Sequence, residues 1–356
     1  MKKVALIMAG GRGERFWPMS RAQMPKQFLK LTGEKKSLIQ LTVERVEKHI
    51  DIKDIYISTH SSYRTMILQQ LPHLPEENII CEPASRNTAA CIGLAAIFIS
   101  HKYQDAVMTV MPSDHLIKNK VAFWGTLQTA YEIALEDNNL ITIGITPTRP
   151  DTGYGYLKTD ELSYNRGAFK VVKFYEKPDF RTAQEYVASD QYLWNSGIFV
   201  WKTSSILSSI ERYLPDTYIR LKRIREAMNT PDYDVILERE YSQLPSISID
   251  YGVMEKASHI YAIPGSFYWD DIGSWRALDR VNVQDSEGNV IFGNFVALNT
   301  KNCILNGREK LIAIIGASQL IVVDTEDAML ICHKDSVGDI KTALRILKDS
   351  GRSEYL

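Results

Sequence analysis

Val-Ala-Leu-Ile-Met-Ala-Gly-Gly-Arg-Gly-Glu-Arg, residues 4 to 15, runs an apolar segment directly into a glycine-rich turn that carries two arginines. The unbroken apolar run over 4–9 predicts a strand buried on both faces. Gly10, Gly11 and Gly13 strip the turn of side chains, so backbone N–H groups can close around a phosphate oxygen. Arg12 and Arg15 place positive charge where a triphosphate would lie. The stretch reads as a nucleotide loop, and two familiar kinds are excluded. A Walker-type loop ends Gly-Lys-Ser/Thr, whereas Gly13 is followed by Glu14 and Arg15. The dinucleotide fingerprint G-x-G-x-x-G is met only in part, because Phe16 stands at the third glycine, where helix and strand must pack closely.

Outward from the loop, β-rich runs alternate with longer amphipathic ones. Strands are predicted over 4–9, 55–59, 78–82, 106–111 and 140–145, and helices over 37–50, 87–103 and 122–137. Asn87 is placed to cap its helix, with Arg86 aimed at the same end. Such alternation implies an α/β, Rossmann-like fold on a mostly parallel mixed sheet covered on both faces. Ligands of such sheets sit beyond the carboxyl ends of the strands. The Gly10 loop, Glu82-Pro83 and Pro112-Ser113-Asp114 all emerge there. Residues 147–284 keep this pattern with longer loops and many aromatics, and read as an insertion on the same sheet. From 285 the pattern changes to short β segments separated by turns, predicting a small β-roll or β-helix. Val337, Ile340, Leu344 and Leu347 then mark an amphipathic closing helix. The expected division is a catalytic domain over 1–284, with a nucleotide half to about 146, and a β-rich domain over 285–356.

The chain has 356 residues and a formal net charge of −1. That balance argues against a sequence-independent nucleic-acid surface, which needs a basic excess. No apolar run approaches a membrane span, and with neither an apolar leader core nor a small-residue cleavage site read before the first strand, export is not expected. Cys81, Cys91, Cys303 and Cys332 have no C-x-x-C spacing and read as reduced thiols of a cytoplasmic protein, and a zinc site is not expected. His115 reads equally as a loop histidine or as a neighbour of a site at Asp114.

Gly10, Gly11, Gly13, Arg15, Pro18, Ser20, Arg21, Pro25 and Lys26 spell G-G-x-G-x-R…P-x-S-R…P-K. This resembles the signature of sugar-1-phosphate nucleotidyltransferases, and Pro25-Lys26-Gln27-Phe28-Leu29 is similar to the branch that makes GDP-mannose. The resemblance extends through the tryptophan-flanked Trp269–Trp275 motif into the β-rich tail. It implies a glycosyltransferase-A-like fold and transfer of a nucleotidyl group from GTP to mannose 1-phosphate, with GDP-mannose and diphosphate as products. A homodimer and a cytoplasmic location are expected with it. Many relatives continue into an isomerase domain; with the sequence ending at Leu356, isomerase activity is not expected. Two rivals stand beside this reading: a pyrophosphorylase for another sugar or nucleotide, and a non-catalytic nucleotide-sugar sensor.

The chemistry so implied has modest needs. A phosphate monoester is already largely dianionic near pH 7, so its oxygen attacks without a general base. What must be supplied is charge neutralisation, in-line positioning and a metal. The resemblance gives Arg15 and Lys26 the catalytic, phosphate-clamping roles. It makes Asp114 and Asp271 the ligands of Mg²⁺, with Asp270 the neighbour that could be mistaken for Asp271. Ala9, Gly10, Gly11 and Gly13 bind the nucleotide, as do Glu82, Pro83, Arg86, Asn87, Thr88, Pro112 and Ser113. Gly155, Glu176, Lys177, Asn195, Ser196 and Gly197 would take the sugar phosphate. Arg21 reads as a ligand contact or a structural ion pair. The segment Asp250-Tyr251-Gly252-Val253-Met254-Glu255 resembles a further family motif to which no role is attached.

Overall fold

Val4, Ala5, Leu6 and Ile7 are fully buried, as an unbroken apolar run requires of a strand central in its sheet. The computed structural model describes residues 1–163 and 165–356, which pack as two units. The first comprises Met1–Gly10, Val43–Pro112 and Ile117–Trp269, and the second Gly11–Thr42, Ser113–Leu116 and Asp270–Leu356.

The first unit is built on a nine-stranded sheet. Its strands are β1 (Lys2–Met8), β2 (Ile55–His60), β3 (Ile79–Glu82), β4 (Ala106–Pro112), β5 (Leu140–Ile145), β6 (Tyr156–Ser163), β7 (Phe169–Tyr175), β8 (Tyr192–Lys202) and β9 (Ile260–Pro264). Their order across the sheet is β3-β2-β1-β4-β8-β5-β9-β7-β6. From β3 to β4 every pairing is parallel. From β8 onward the sheet is mixed: β8 runs antiparallel to both β4 and β5, while β9 returns parallel to β5. Unbroken parallel pairing therefore runs only from β3 to β4, and residues 147–264 extend the same sheet with mixed pairing.

Register decides where function can sit. Met8 pairs with both Ser58 and Pro112, and His60 pairs with Glu82. The carboxyl ends of β1, β2, β3 and β4 thus lie in one row. The helix Asn87–Lys102 is buried along most of its length. Gly93 faces Leu221 of the helix Pro215–Ala227, leaving no room for a side chain. On the Lys120–Leu135 helix, the Tyr131 hydroxyl accepts a hydrogen bond from Thr109 of β4 (2.8 Å). Among the described residues no helix is long and apolar enough to cross a membrane.

In the second unit, Val290–Phe292, Ile304–Asn306 and Leu320–Asp324 pair in parallel and in register, with Met329–His333 antiparallel at the end. Phe295–Leu298 pairs in parallel with Ile312–Ile315. Ile304 with Ile321, Phe295 with Ile312 and Lys301 with Ser318 share one offset, which is the stacking of successive β-helix coils. Val290, Ile304, Ile321 and Val323 pack inward with Phe16, Leu31, Ile272 and Trp275. Asn289 is buried and closes the first coil, accepting the Cys303 N–H (2.9 Å) and donating to the Thr300 carbonyl (2.8 Å). The helix Ile340–Asp349 follows.

Candidate active site

In the second unit the site residues gather around one ammonium. Lys26 is buried, and its Nζ lies 2.8 Å from Asp114 Oδ2 while donating to the Asp271 carbonyl oxygen at 2.6 Å. Two segments more than a hundred residues apart in sequence thus meet on Lys26, in the short turn Lys26–Phe28 that follows the glycine loop. Burial opposes charge on Asp114, but Lys26 and His115 outweigh it and hold the carboxyl below its usual range. The His115 ring is 3.9 Å from Oδ1 of the preceding Asp114, a distance that both readings of that histidine allow. The Phe16 ring lies 5.8 Å from Lys26 Nζ and tilts against Trp275. Arg15 is exposed. Ser113 is buried, and its carbonyl accepts the Thr42 hydroxyl (3.1 Å).

Gly13 makes this arrangement possible. It takes φ of +65°, and a side chain there would overlap Lys26, whose backbone N and Cα lie 3.0 and 3.1 Å from the Cβ position. Gly13→Ala is expected to cost ~1–2 kcal/mol for the left-handed backbone alone and to displace Lys26 as well. Urea denaturation should record the stability loss, and kcat should fall with it. Unchanged values of both would remove the glycine from the design of the site.

Asp270 and Asp271 separate cleanly. Asp270 is fully buried, its carboxylate gripped by Arg280 at 2.7 and 3.0 Å and accepting the Ile272 N–H at 2.9 Å. Asp271 is only half-buried. Arg21 also resolves: it pairs with Asp327 (2.7 Å) and donates to the Tyr355 carbonyl, a structural tie. Among the described residues no group of three or more His, Cys, Asp or Glu is placed to hold a metal ion. Asp114 meets Lys26 through its carboxylate and Asp271 through its backbone carbonyl, so the lysine joins the two segments and leaves the Asp271 carboxylate outside that contact.

In the first unit the base-recognition candidates surround Glu82. Its buried carboxylate accepts from Ser58 Oγ (2.9 Å) and Tyr241 OH (2.6 Å). Burial, and then the Glu82 charge, push the Tyr241 phenol far up, so it remains a donor. Ala9 is pinned to β2, its N–H donating to Ser58 O (2.8 Å) and its carbonyl accepting from Thr59 (2.9 Å). Gly10 lies against the Glu82 carboxylate, 4.0 Å from its Cβ position. Gly11, in the second unit, has nothing within reach of a Cβ. Glu82 therefore braces the loop from beneath rather than presenting free oxygens, and Pro83 follows it half-buried. Arg86 donates to the Ser242 carbonyl, not toward the helix end as expected. Asn87 adopts φ of +63°, and its Oδ1 accepts the N–H of the very next residue, Thr88 (2.8 Å). Thr88 Oγ1 in turn accepts the Ile249 N–H (2.8 Å).

The sugar candidates form a second group in the same unit. Gly155 brings its backbone within 3.0 Å, at the Cβ position, of Glu176 Oε2 and 3.7 Å of Asn195 Cβ, and its carbonyl accepts the Asn195 N–H (2.9 Å). Asn195 donates to Asp250 Oδ1 (2.7 Å) and accepts from Thr142 (3.3 Å) and Gly197 N (3.2 Å). Gly197, at φ of +68°, lies over Pro112. Glu176 pairs with Lys177 (3.0 Å). Ser196 departs from expectation: it is buried, with its hydroxyl donating to Ile143 O (2.6 Å), so it braces the bulged strand and offers nothing to a ligand.

Asp250 opens the segment 250–255, to which the sequence attached no role. It begins a π-helical turn over Asp250–Met254, a deformation frequent at functional sites. Burial pushes its carboxyl up to about 6 against the Asn195 hydrogen bond, with Glu176 and Glu255 adding repulsion. A raised carboxyl binds more protons folded than unfolded, so it destabilises the fold above pH 6 and not below pH 4. Asp250→Asn should therefore gain roughly 1–2 kcal/mol near pH 7.5 and nothing at pH 4. Urea midpoints at the two pH values measure this, and an equal gain at both contradicts it.

A glycine-rich loop after a central parallel strand, a buried lysine shared by two aspartate segments and a cluster of polar side chains around Asn195 define a nucleotide-handling α/β protein. The family described as Nucleotidyl transferase matches residues 4–288, and the MannoseP isomerase/GMP-like beta-helix domain matches residues 293–347; the chain belongs to the nucleotidyl transferase family. It is 38% identical over 359 residues to the alginate biosynthesis protein AlgA of Pseudomonas fluorescens, covering 99% of this chain and 73% of that one. It is 37% identical to a mannose-1-phosphate guanylyltransferase of Klebsiella pneumoniae, covering 98% of this chain and 75% of that one. Among solved structures it resembles a Thermus thermophilus protein described as a mannose-1-phosphate geranyltransferase, with TM-score 0.88 and 34% identity over 98% of this chain and all of that one.

Proposed function

We infer that the chain is a mannose-1-phosphate guanylyltransferase in activity, joining GTP and mannose 1-phosphate to give GDP-mannose and diphosphate. The observation that carries the reading is Lys26 held between Asp114 and Asp271, in a chain whose near-full-length relatives include enzymes of that name. The product suits polysaccharide synthesis, the setting of the alginate proteins. A phosphate oxygen of mannose 1-phosphate forms the new bond to the α-phosphorus of GTP, and the bond to the β-phosphate bridging oxygen breaks. Diphosphate leaves with that electron pair. No base is needed, since the attacking oxygen is already anionic.

Lys26 and Arg15 neutralise the phosphate charge that builds as diphosphate departs, through the forked donors of arginine and the point charge of lysine. With two donor directions fixed on Asp114 and Asp271, Lys26 holds its third toward a ligand oxygen. Asp114 and Asp271 would hold Mg²⁺, which when bound supplies further charge neutralisation and alignment of phosphates. The Gly10–Gly13 backbone receives the triphosphate. The loop from Glu82 to Thr88 reads guanine through backbone groups, Glu82 and Arg86 acting as its braces. Gly155, Glu176 and Asn195, now joined by Asp250, take mannose hydroxyls, and Lys177 its phosphate. We assign catalysis to residues 1–284 and a non-catalytic role to 285–356.

The test is to incubate the pure protein with each nucleoside triphosphate, several hexose 1-phosphates and magnesium, and to weigh the products. GTP with mannose 1-phosphate should outpace every other pairing at least tenfold. A different preferred pair, or no nucleotide sugar at all, overturns the reading.

A further inference from the structure

The helix Ile340–Asp349 packs Ile340 and Leu344 on the core of the second unit. Beside that apolar stripe, Lys341, Leu344, Arg345 and Lys348 recur at three- and four-residue spacing and so share one side of the helix. These four line a cavity of about 250 Å³ whose other lining residues include Arg12 of the glycine loop and Trp17 of the segment after it. Arg12, Lys341, Arg345 and Lys348 make no ion pair among the described residues, although Glu14 also lines the space. Arg21 borders it too, but is committed to Asp327. Four such cations against the single carboxylate side chain of Glu14 leave a positive surplus in the lining, and a surplus of one sign around a concavity raises the local concentration of the opposite ion. Lysines and arginines without carboxylate partners are the usual recognition groups for phosphate oxygens.

The volume narrows the ligand. Pockets for drug-sized molecules occupy roughly 300–1,000 Å³, so this one suits a small polyanion and not a whole nucleotide sugar. Arg15, Lys26, Asp114 and Asp271 are not part of its lining. We propose that this cavity is a second, non-catalytic anion site, and that it takes inorganic diphosphate. Arg12 belongs both to this wall and to the glycine loop, so occupancy bears directly on the segment that carries Arg15.

The experiment counts pyrophosphate bound by calorimetry in the full-length protein and in a triple variant, Lys341→Ala with Arg345→Ala and Lys348→Ala. The expected result is one equivalent lost in the variant, with turnover in the absence of added pyrophosphate unchanged. That difference does not depend on whether pyrophosphate also binds at Lys26, so it stands or falls separately from the reaction assigned above. Raising KCl from 50 to 300 mM should weaken the lost site at least fivefold, as screening requires. Equal stoichiometry in the two proteins overturns the proposal. Should the triple variant unfold, Arg345→Gln alone should weaken the same site at least fivefold, and an unchanged affinity overturns it as well. In a parallel titration GDP should not fill this site; if GDP competes there with pyrophosphate at equal affinity, the small-anion assignment is wrong.

Discussion

Lys26→Ala should lower kcat by two to three orders of magnitude, about 3–4 kcal/mol of lost transition-state stabilisation, the size seen when one preorganised donor is removed from a developing oxyanion. The expectation follows from where the ammonium sits. It is buried, already desolvated, and fixed by Asp114 Oδ2 and the Asp271 carbonyl, so no reorganisation is needed when charge develops on the departing phosphate. Stability should fall too, because Asp114 loses its nearest cation. The sign can be worked out. A carboxyl held low when folded stabilises the protein above its unfolded value near 4, and that contribution disappears as pH falls through the folded value. With Lys26 gone the Asp114 carboxyl rises, so the variant should lose stability at pH 7.5 and little at pH 3. Lys26→Met separates the two effects: it keeps the aliphatic stem beside Phe16 and Gly13 but not the charge. If Lys26→Met turned over at a near-normal rate, the phosphate role of Lys26 would be wrong, whatever the stability of the alanine variant.

Much of this was legible in the sequence because the signals were local. The apolar run before Gly10 and the glycines after it both follow from backbone sterics, and β1 with its turn lies where they predict. The β-helix coils announce themselves by repeated short apolar segments, since each coil needs the same inward-facing positions. What escaped were matters of partnership. Nothing local says that Arg86 reaches the carbonyl of Ser242, or that Glu82 is occupied by Ser58 and Tyr241. Ser196 looked like a sugar contact because serine is polar, yet a bulge in β8 turns it inward onto Ile143. The grouping of Gly11–Thr42 with Asp270–Leu356 in one packing unit is equally invisible, since it rests on Phe16, Leu31 and Trp275 sharing one core over long sequence separation. Asp250 had a motif around it but no periodic or charge signal for its role; its partner Asn195 lies on β8, far away in sequence.

Adjacent aspartates give the sharpest test, because one should govern activity and the other stability. Asp271→Ala should abolish measurable turnover, a loss of at least a thousandfold, since the removed carboxylate has no substitute in a site where only Asp114 shares its task. Its cost to folding should stay near 1 kcal/mol or below, as for a half-buried side chain outside the core; the carbonyl that Lys26 grips belongs to the backbone and survives the change. Asp270→Ala should act in the opposite way. Removing it takes from the Arg280 guanidinium both of its hydrogen bonds to that carboxylate, and breaking one side of a buried pair typically costs 3–5 kcal/mol. Arg280 is one-third exposed at 33%, which places the expected loss near the lower end, about 3 kcal/mol. A further penalty arises at Ile272, a β-branched residue at φ of +45°, whose N–H is held by Asp270. That backbone is strained, and without Asp270 the turn that aims Asp271 should relax. The Asp270→Ala protein should therefore unfold at markedly lower urea, and retain partial activity where it remains folded. Paired denaturation and single-turnover measurements on the two variants decide the matter. If Asp270→Ala were the dead but stable protein and Asp271→Ala the active but fragile one, the two roles would have to be exchanged, and with them the position of the divalent ion.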